Sequence, residues 1–246
     1  MEYSQWAPRY EEIGREFGYP FERELEAADL LDQLLDERSR RNGLGRARGR
    51  IGGRTAIVVG GARGFGAPPV WRLAKEHPSP SLLAADGATV PCVEAGLVPD
   101  VIVTDLDGPV PAEVNANMRG ALAVIHAHGD NRTALERWVP EFGGEVAGSW
   151  AGPPRPALLN VGGFTDGDRA AYLAEACGAR RILLWGFAFD ELDPRASGPV
   201  AVKRRKLAWA RRLLGELAAA GASPIALWGR DGAIRDYPGI VDPSSQ

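Results

Sequence analysis

Apolar residues follow two rhythms along this chain. Within the first forty residues Leu25, Ala28, Leu31, Leu34 and Leu35 recur three and four positions apart between charged neighbours. That spacing predicts helix with one buried stripe. From residue 55 onward the apolar positions gather into short continuous runs at 56–59, 81–85, 101–103, 122–125, 157–161, 181–185 and 224–228. Such runs are too short for helices, and continuity rather than alternation is what a strand covered on both faces requires. The intervening segments 68–76, 89–95, 111–118, 133–138, 168–177 and 203–219 read as helices, with Gly178 as a stop signal after the fifth. Strand and helix in regular alternation predict an α/β fold: a doubly wound, mostly parallel, Rossmann-like sheet with an N-terminal helical extension. Between the two rhythms lies 41–54, where arginines and glycines intermingle. This composition predicts a linker or flexible loop, or alternatively a grip for phosphate. The expected organisation is therefore 1–50 as helical extension plus Arg/Gly linker, and 51–246 as the α/β domain.

Composition narrows the class without changing the fold. With 246 residues, 45% hydrophobic and 25% charged, the chain can bury a sizeable core and has an ordinary surface. A net charge of −3 gives no reason to expect a nucleic-acid partner. The two cysteines, Cys92 and Cys177, are too few for a disulfide framework or a zinc site and read as buried free thiols. The first ten residues lack a basic stretch followed by an apolar one, so no signal peptide is expected. No apolar run approaches the ~20 residues of a membrane span. A cytoplasmic protein with no membrane partner is the expectation.

Chemistry collects after the strands. In an open parallel sheet ligands bind at the carboxyl ends of the strands. Here the first run ends in Gly60-Gly61-Ala62-Arg63-Gly64, the second in Asp86-Gly87, and the third in Thr104-Asp105-Leu106-Asp107-Gly108. The fourth ends in His126-Ala127-His128-Gly129-Asp130-Asn131, and the fifth, containing Asn160, in Gly162-Gly163-Phe164-Thr165-Asp166-Gly167-Asp168. Five strands thus send glycines and mostly carboxylates to one edge. Asp105 and Asp107 lie two apart, so on an extended chain both point one way. Their repulsion calls for a proton or a cation, and a hard divalent ion such as Mg²⁺ suits oxygen ligands. A solvated Asp-Leu-Asp-Gly-Pro turn would explain the pair alone; Asp86 and Asp130 on neighbouring strands favour metal. His126, His128 and Asp130 could bind a transition metal, but His128 and Asn131 against substrate or phosphate, with Asp130 in the magnesium shell, fits better. Thr165, Asp166 and Asp168 offer helix capping, which explains one of the three groups and leaves a substrate or metal role for another. Gly60, Gly61, Arg63 and Gly64 form a glycine-rich loop that matches neither common nucleotide-loop motif but can hold a triphosphate. The basic run Lys203-Arg204-Arg205-Lys206 is either a solvated face or, through Lys203, a phosphate clamp.

Taken together, Asp86-Gly-Ala, the stretch from Pro99 to Gly108, His126-Ala-His-Gly-Asp-Asn131 and Gly162-Gly-Phe-Thr-Asp-Gly-Asp-Arg-Ala170 resemble the archaeal-type 6-hydroxymethyl-7,8-dihydropterin pyrophosphokinase family, relatives of the thiamin pyrophosphokinases. The four motifs come in the family's order, and the resemblance covers nearly the whole chain. It implies transfer of diphosphate from ATP to a pterin hydroxymethyl group with release of AMP, Mg²⁺ as cofactor, and a place in folate or tetrahydromethanopterin biosynthesis. Asp105, Asp107 and Asp130 would carry the metal, and Asn160, Phe164, Thr165 and Asp166 would recognise the pterin. The sequence departs from the family in its first loop, usually Gly-x-Gly-Pro-Ser. It departs again after Gly186, where an early aspartate is absent and Asp190 comes later. A thiamin pyrophosphokinase-like enzyme, a catalytically silent nucleotide-binding regulator and an Arg/Gly RNA binder are the competing readings. An uncovered apolar N-terminal helix would call for a homodimer.

Overall fold

The computed structural model describes residues 2–191 and 199–238. Its centre is a nine-stranded sheet whose parallel strands are β1 (Thr55–Val59), β2 (Ser81–Ala85), β3 (Val101–Thr104), β4 (Leu122–His126), β5 (Val146–Ser149), β6 (Leu158–Leu159), β7 (Arg181–Trp185) and β8 (Ile225–Trp228). A short antiparallel strand, β9 (Ile234–Asp236), closes one edge. The order is β6-β5-β4-β3-β2-β1-β7-β8-β9. Every residue of β1 to β5 is buried, as their continuous apolar runs require. Helices α1 (Tyr3–Phe17), α4 (Gly43–Ile51), α8 (Asp166–Ala176) and α9 (Val200–Ala220) share a core cluster with one set of alternating strand residues, including Ala56, Val58, Val101 and Val103. Helices α2 (Phe21–Leu34) and α7 (Arg132–Trp138) cover Ala123 and Ile125 on the other face. Beside them lie α5 (Thr89–Glu94) and α6 (Val110–Met118), packed on Leu82 and Ile102 respectively.

Three expectations change. The 41–54 segment is not a linker: most of it is α4, following the short α3 (Glu37–Arg40). Ala47 and Ile51, one turn apart, are fully buried. Arg46 donates to Ser39 O and Val146 O at 2.9 and 2.8 Å, and Arg50 donates to Gly120 O at 2.8 Å and to Glu145 at 3.0 Å. Apart from Ser39 of α3, these partners sit at the amino-terminal ends of the strands, away from the glycine and carboxylate edge, so the arginines bind protein rather than phosphate. The 68–76 segment, which opens Pro68-Pro69, forms a 3-10 turn at Val70–Leu73 instead of a helix. The 157–161 strand shortens to β6, and Asn160 beyond it bonds Ala151 O, Gly152 O and Gly162 N. The strands β5 and β9 lie outside the continuous apolar runs; β5 is Val-Ala-Gly-Ser, with little apolar bulk.

The apolar stripe of α2 is covered within the chain: Ala27, Ala28 and Leu31 are fully buried, so it gives no reason to invoke a second copy. Both cysteines are buried thiols, as expected. Among the described residues no helix is long and apolar enough to cross a membrane.

Candidate active site

The chain steps outward from β1 to β6, then returns to β7 on the other side of β1. A sheet that reverses direction opens a crevice at the carboxyl ends of the two strands. The loops leaving β1 and β7 are locked there, with Gly60 N donating to Trp185 O at 2.8 Å and Ala62 N to Gly186 O at 3.0 Å. Only glycine fits this crossing: a Cβ on Gly60 would lie 2.7 Å from Gly186 O, and Gly186 has φ +76°. Above it lies a cavity of about 790 Å³ lined by Gly60, Gly61, Arg63, Asp86, Asp107, Thr165, Asp166, Lys203 and Lys206. The first glycine loop, Arg63 and two lysines line it together with carboxylates.

Asp86, Asp105 and Asp107 each bring a carboxylate oxygen within 4.8 Å of the others. The convergence does not come from an extended strand, since β3 ends at Thr104. Leu106 adopts φ +67° and Asp86 φ 44°, conformations that cost energy for residues with side chains. Side chains hold the turn: Leu106 N donates to Thr104 Oγ1 at 2.9 Å, Asp107 N to Asp105 Oδ1 at 3.2 Å, and Asn131 Nδ2 to Asp105 O at 2.7 Å. Burial and the charges of Asp105 and Asp86 push Asp107 up to about 6, and burial also raises Asp86. Burial works upward on Asp105 as well, but the hydrogen bond and charge of His128, with Arg169, outweigh it and hold Asp105 at about 2. Three crowded oxygen ligands that resist common ionisation suit a hard divalent cation. Behind them on α6, Glu113 is fully buried and neither oxygen meets a conventional donor. Burial and Asp86 push it up to about 9, so at neutral pH its own proton bonds Asp86.

A second cavity of about 520 Å³ opens between α1, α2 and the ends of β3, β4 and β6. Aromatic side chains furnish its walls: Trp6, Tyr10, Tyr19, Phe21 and Phe164, with Phe164 5.1 Å from the Phe17 ring centroid. Its polar groups are Glu24, Asp105, His126, His128, Arg169 and Lys206, apart from the exposed Glu11 and Arg15. The His128 Nδ1 accepts from Asp130 N at 3.3 Å, which assigns a ring proton to Nε2, 3.4 Å from Asp105 Oδ2. His126 is buried and bonded to Ser149 at 3.1 Å; desolvation and Arg169 push its pKa well down. Asp105 lines this cavity, Asp107 lines the first and Lys206 lines both. The two chambers therefore adjoin at the carboxylate cluster.

Several expected site residues turn out to hold the frame. Asp130 is exposed and outside the cluster: β4 stops at His126 and the chain turns, so the alternation that would have aimed it inward is lost, and Asp86 takes the third place. Asn131 is buried, with its amide donating to Asp105 O and His126 O and its oxygen accepting from His128 N, which leaves nothing for a nucleotide. Asn160 bonds Ala151 O, Gly152 O and Gly162 N and so fixes two loops rather than a pterin. Asp168 is fully buried as the helix cap, accepting from Phe164 N at 2.6 Å and Thr165 N at 2.8 Å. Gly64, at φ +74°, is a turn glycine outside both cavities. Asp190 pairs with Arg211 at 3.4 Å and does not reach the cluster. Of the 162–168 segment, Phe164 faces the second cavity, and Thr165 and Asp166 the first. Burial, with Asp105 nearby, raises Asp166 well above the ordinary carboxylate range. In the basic run Lys203 and Lys206 face the cavity, while Arg205 reaches back to Glu16 O at 3.3 Å. Lys206 was legible as the partner of Lys203 three positions on, on the same helix face. Glu24 and Glu113 carried no signal, because each reaches the site from a helix whose sequence shows only amphipathicity, whereas Arg169 stands within the Gly162–Ala170 motif.

Comparison with known proteins follows the same lines. Residues 44–193 match the family model described as 6-hydroxymethylpterin diphosphokinase MptE-like. A relative from Methanothermobacter thermautotrophicus, named 6-hydroxymethyl-7,8-dihydropterin pyrophosphokinase, is 37% identical over 93% of this chain and 100% of its own length. One of the same name from Pyrococcus furiosus is 38% identical over 87% of this chain and 93% of its own. Among solved structures, the MAf glycosyltransferase of Magnetospirillum magneticum AMB-1 superposes on 88% of this chain and 39% of its own, with TM-score 0.50 at 15% identity. That likeness concerns the fold alone.

Proposed function

The chain belongs to the MptE-like family of 6-hydroxymethylpterin diphosphokinases, and from that premise we propose that it moves the terminal diphosphate of ATP onto the hydroxymethyl group of 6-hydroxymethyl-7,8-dihydropterin. The product would serve folate or tetrahydromethanopterin synthesis. The observation that carries the reading is the pair of adjoining chambers, one lined by a glycine loop and lysines, the other by aromatic rings, with three aspartates at the junction.

In this proposal the first chamber takes ATP. The Gly61 amide, Arg63, Lys203 and Lys206 neutralise the triphosphate, at a sheet reversal where phosphate groups are favourably bound. Asp86, Asp105 and Asp107 would hold Mg²⁺, which when bound neutralises phosphate oxygens and so favours displacement at phosphorus. Phe164 and the rings of α1 and α2 take the flat pterin and exclude water. Asp105, steadied by His128 and by Asn131 on its backbone, accepts the hydrogen bond of the hydroxymethyl group and aims its oxygen at the β-phosphorus. A bond from that oxygen to the β-phosphorus forms, the bond from the β-phosphorus to the α-bridging oxygen breaks, AMP leaves, and the hydroxyl proton passes out through Asp105 to water. Such transfer depends on alignment and charge neutralisation more than on a strong base, which fits an Asp105 held at about 2.

Incubation of the protein with ATP, Mg²⁺ and the reduced pterin tests the reading. AMP and a pterin diphosphate in equal amounts are expected. ADP would indicate a single phosphoryl transfer, and no nucleotide turnover would leave a silent nucleotide binder.

A further inference from the structure

The aromatic chamber holds a buried carboxylate that the transfer chemistry does not use. Glu24 of α2 is 7% exposed and lines the cavity. Its Oε1 accepts from Gly129 N at 2.9 Å; among the described residues Oε2 has no hydrogen bond. Oε2 is not among the sealed-off unpartnered atoms, so it opens onto the cavity, where donors on a ligand can take the place of water. The other cavity groups supply no donor to it. Arg169 spends its guanidinium on Gly163 O, Phe164 O and Asp166. The Trp6 Nε1 donates to Ala151 O at 2.8 Å. Of the remaining carboxylates lining the chamber, Glu11 is exposed and Asp105 belongs to the cluster. Glu24 thus turns one uncommitted acceptor into the chamber, and a flat ligand entering here meets it with whatever N–H groups it carries.

We propose that Glu24 is a specificity-determining residue that reads the acceptor through paired N–H donors on its ring edge, the amino group and adjacent ring N–H of a 2-amino-4-oxopyrimidine. The assignment rests on the pterin reading above. Two donors side by side match a carboxylate in a way a single amide or hydroxyl does not. The loop 128–129 touches both Asp105, through His128, and Glu24, through Gly129. The donor edge and the reacting hydroxymethyl group are thereby referred to one backbone segment, which fixes the ring's direction as well as its identity.

The test compares the wild-type protein and Glu24→Gln, which keeps an oxygen for Gly129 N. Each is assayed with 6-hydroxymethyl-7,8-dihydropterin and with the analogue bearing oxygen in place of the 2-amino group. Sites built to hydrogen-bond a substrate reject analogues lacking the group, so the wild type should favour the pterin by roughly 10²-fold or more in kcat/KM. Glu24→Gln should raise the pterin KM by roughly 10- to 100-fold, erase most of that preference and leave the KM for ATP within about twofold. A variant with unchanged pterin KM and unchanged preference overturns the assignment and leaves the pterin activity standing. A wild-type protein that turns over both compounds equally overturns it too, whether or not the variant folds. A wild-type protein that turns over neither sinks the pterin reading, and the role of Glu24 with it.

Discussion

At the scale of single residues, the decisive contrast is between two aspartates that look alike in sequence. Asp105 sits in the cluster and Asp130 in solvent. Asp105→Asn should lower kcat/KM by roughly 10²-fold or more while the chain still folds, since a charged group aimed at the reacting centre is lost. Asp130→Asn should stay within about threefold of wild type, and equal losses in steady-state assays would restore Asp130 to the metal shell. Asp105 and Asp107 were legible as a pair, yet for the wrong geometric reason. Their spacing suggested an extended strand, whereas a left-handed Leu106 folds them together. Nothing in the sequence betrays an αL leucine, because local preference opposes it and tertiary hydrogen bonds impose it. Glu113 allows a prediction about stability. Its folded value of about 9 lies above its ordinary 4.5, so between those pH values the unfolded chain gives up a proton that the folded chain keeps. Stability is therefore fully present below about 4.5 and falls as pH rises toward 9. Glu113→Gln cannot ionise and still donates to Asp86, so its melting temperature should exceed that of wild type increasingly from pH 5 to pH 9. Melting curves that run parallel across that range would show that Glu113 is ionised in the fold.

At the scale of elements, continuous apolar runs revealed the strands that lie deep in the sheet, because burial on both faces leaves no room for polar alternation. The same rule hid β5, where Gly148 replaces bulk: a Cβ there would meet Leu158 Cδ2 at 2.5 Å and Leu35 Cδ1 at 2.8 Å. It also misread α4. Glycine lowers helix propensity by about 1 kcal/mol per residue, and α4 has three, so composition pointed to a loop. The helix forms because its arginines bind carbonyls that end the sheet's amino edge, a tertiary gain invisible to local pattern. Arg50 links Asp100 O, Gly120 O and Glu145, which lie just before β3, β4 and β5. Arg50→Ala should destabilise by about 1–3 kcal/mol in urea unfolding. Kinetic constants for both substrates should be preserved, because the carboxyl edge lies across the sheet. A variant of full stability with impaired ATP binding would return this segment to a phosphate role.

At the scale of the whole molecule, the N-terminal helices are part of the site rather than an appendage. Helices α1 and α2 wall the aromatic chamber, and α9 is shared, since Lys203 faces one chamber while Lys206 lines both. Arg205 and Trp209 tie α9 back to Glu16 of α1, the indole at 2.7 Å, so the wall between the two chambers is braced from the N-terminal side. The architecture therefore separates effects that a single pocket would mix. Lys203→Ala removes charge from the chamber proposed for ATP alone and should raise the KM for ATP by roughly 10-fold, with the pterin KM nearly constant. Phe164→Ala removes a ring from the acceptor chamber and should do the reverse, at about 1–3 kcal/mol of lost contact. Lys206→Ala touches the junction, where charge shifts during transfer, so it should depress kcat by roughly 10²-fold, more than it raises either KM. Initial-rate measurements varying each substrate in turn distinguish the three patterns. If all three variants raised both KM values together, the chambers would be one continuous pocket, and donor and acceptor could not be assigned to opposite sides of the aspartates.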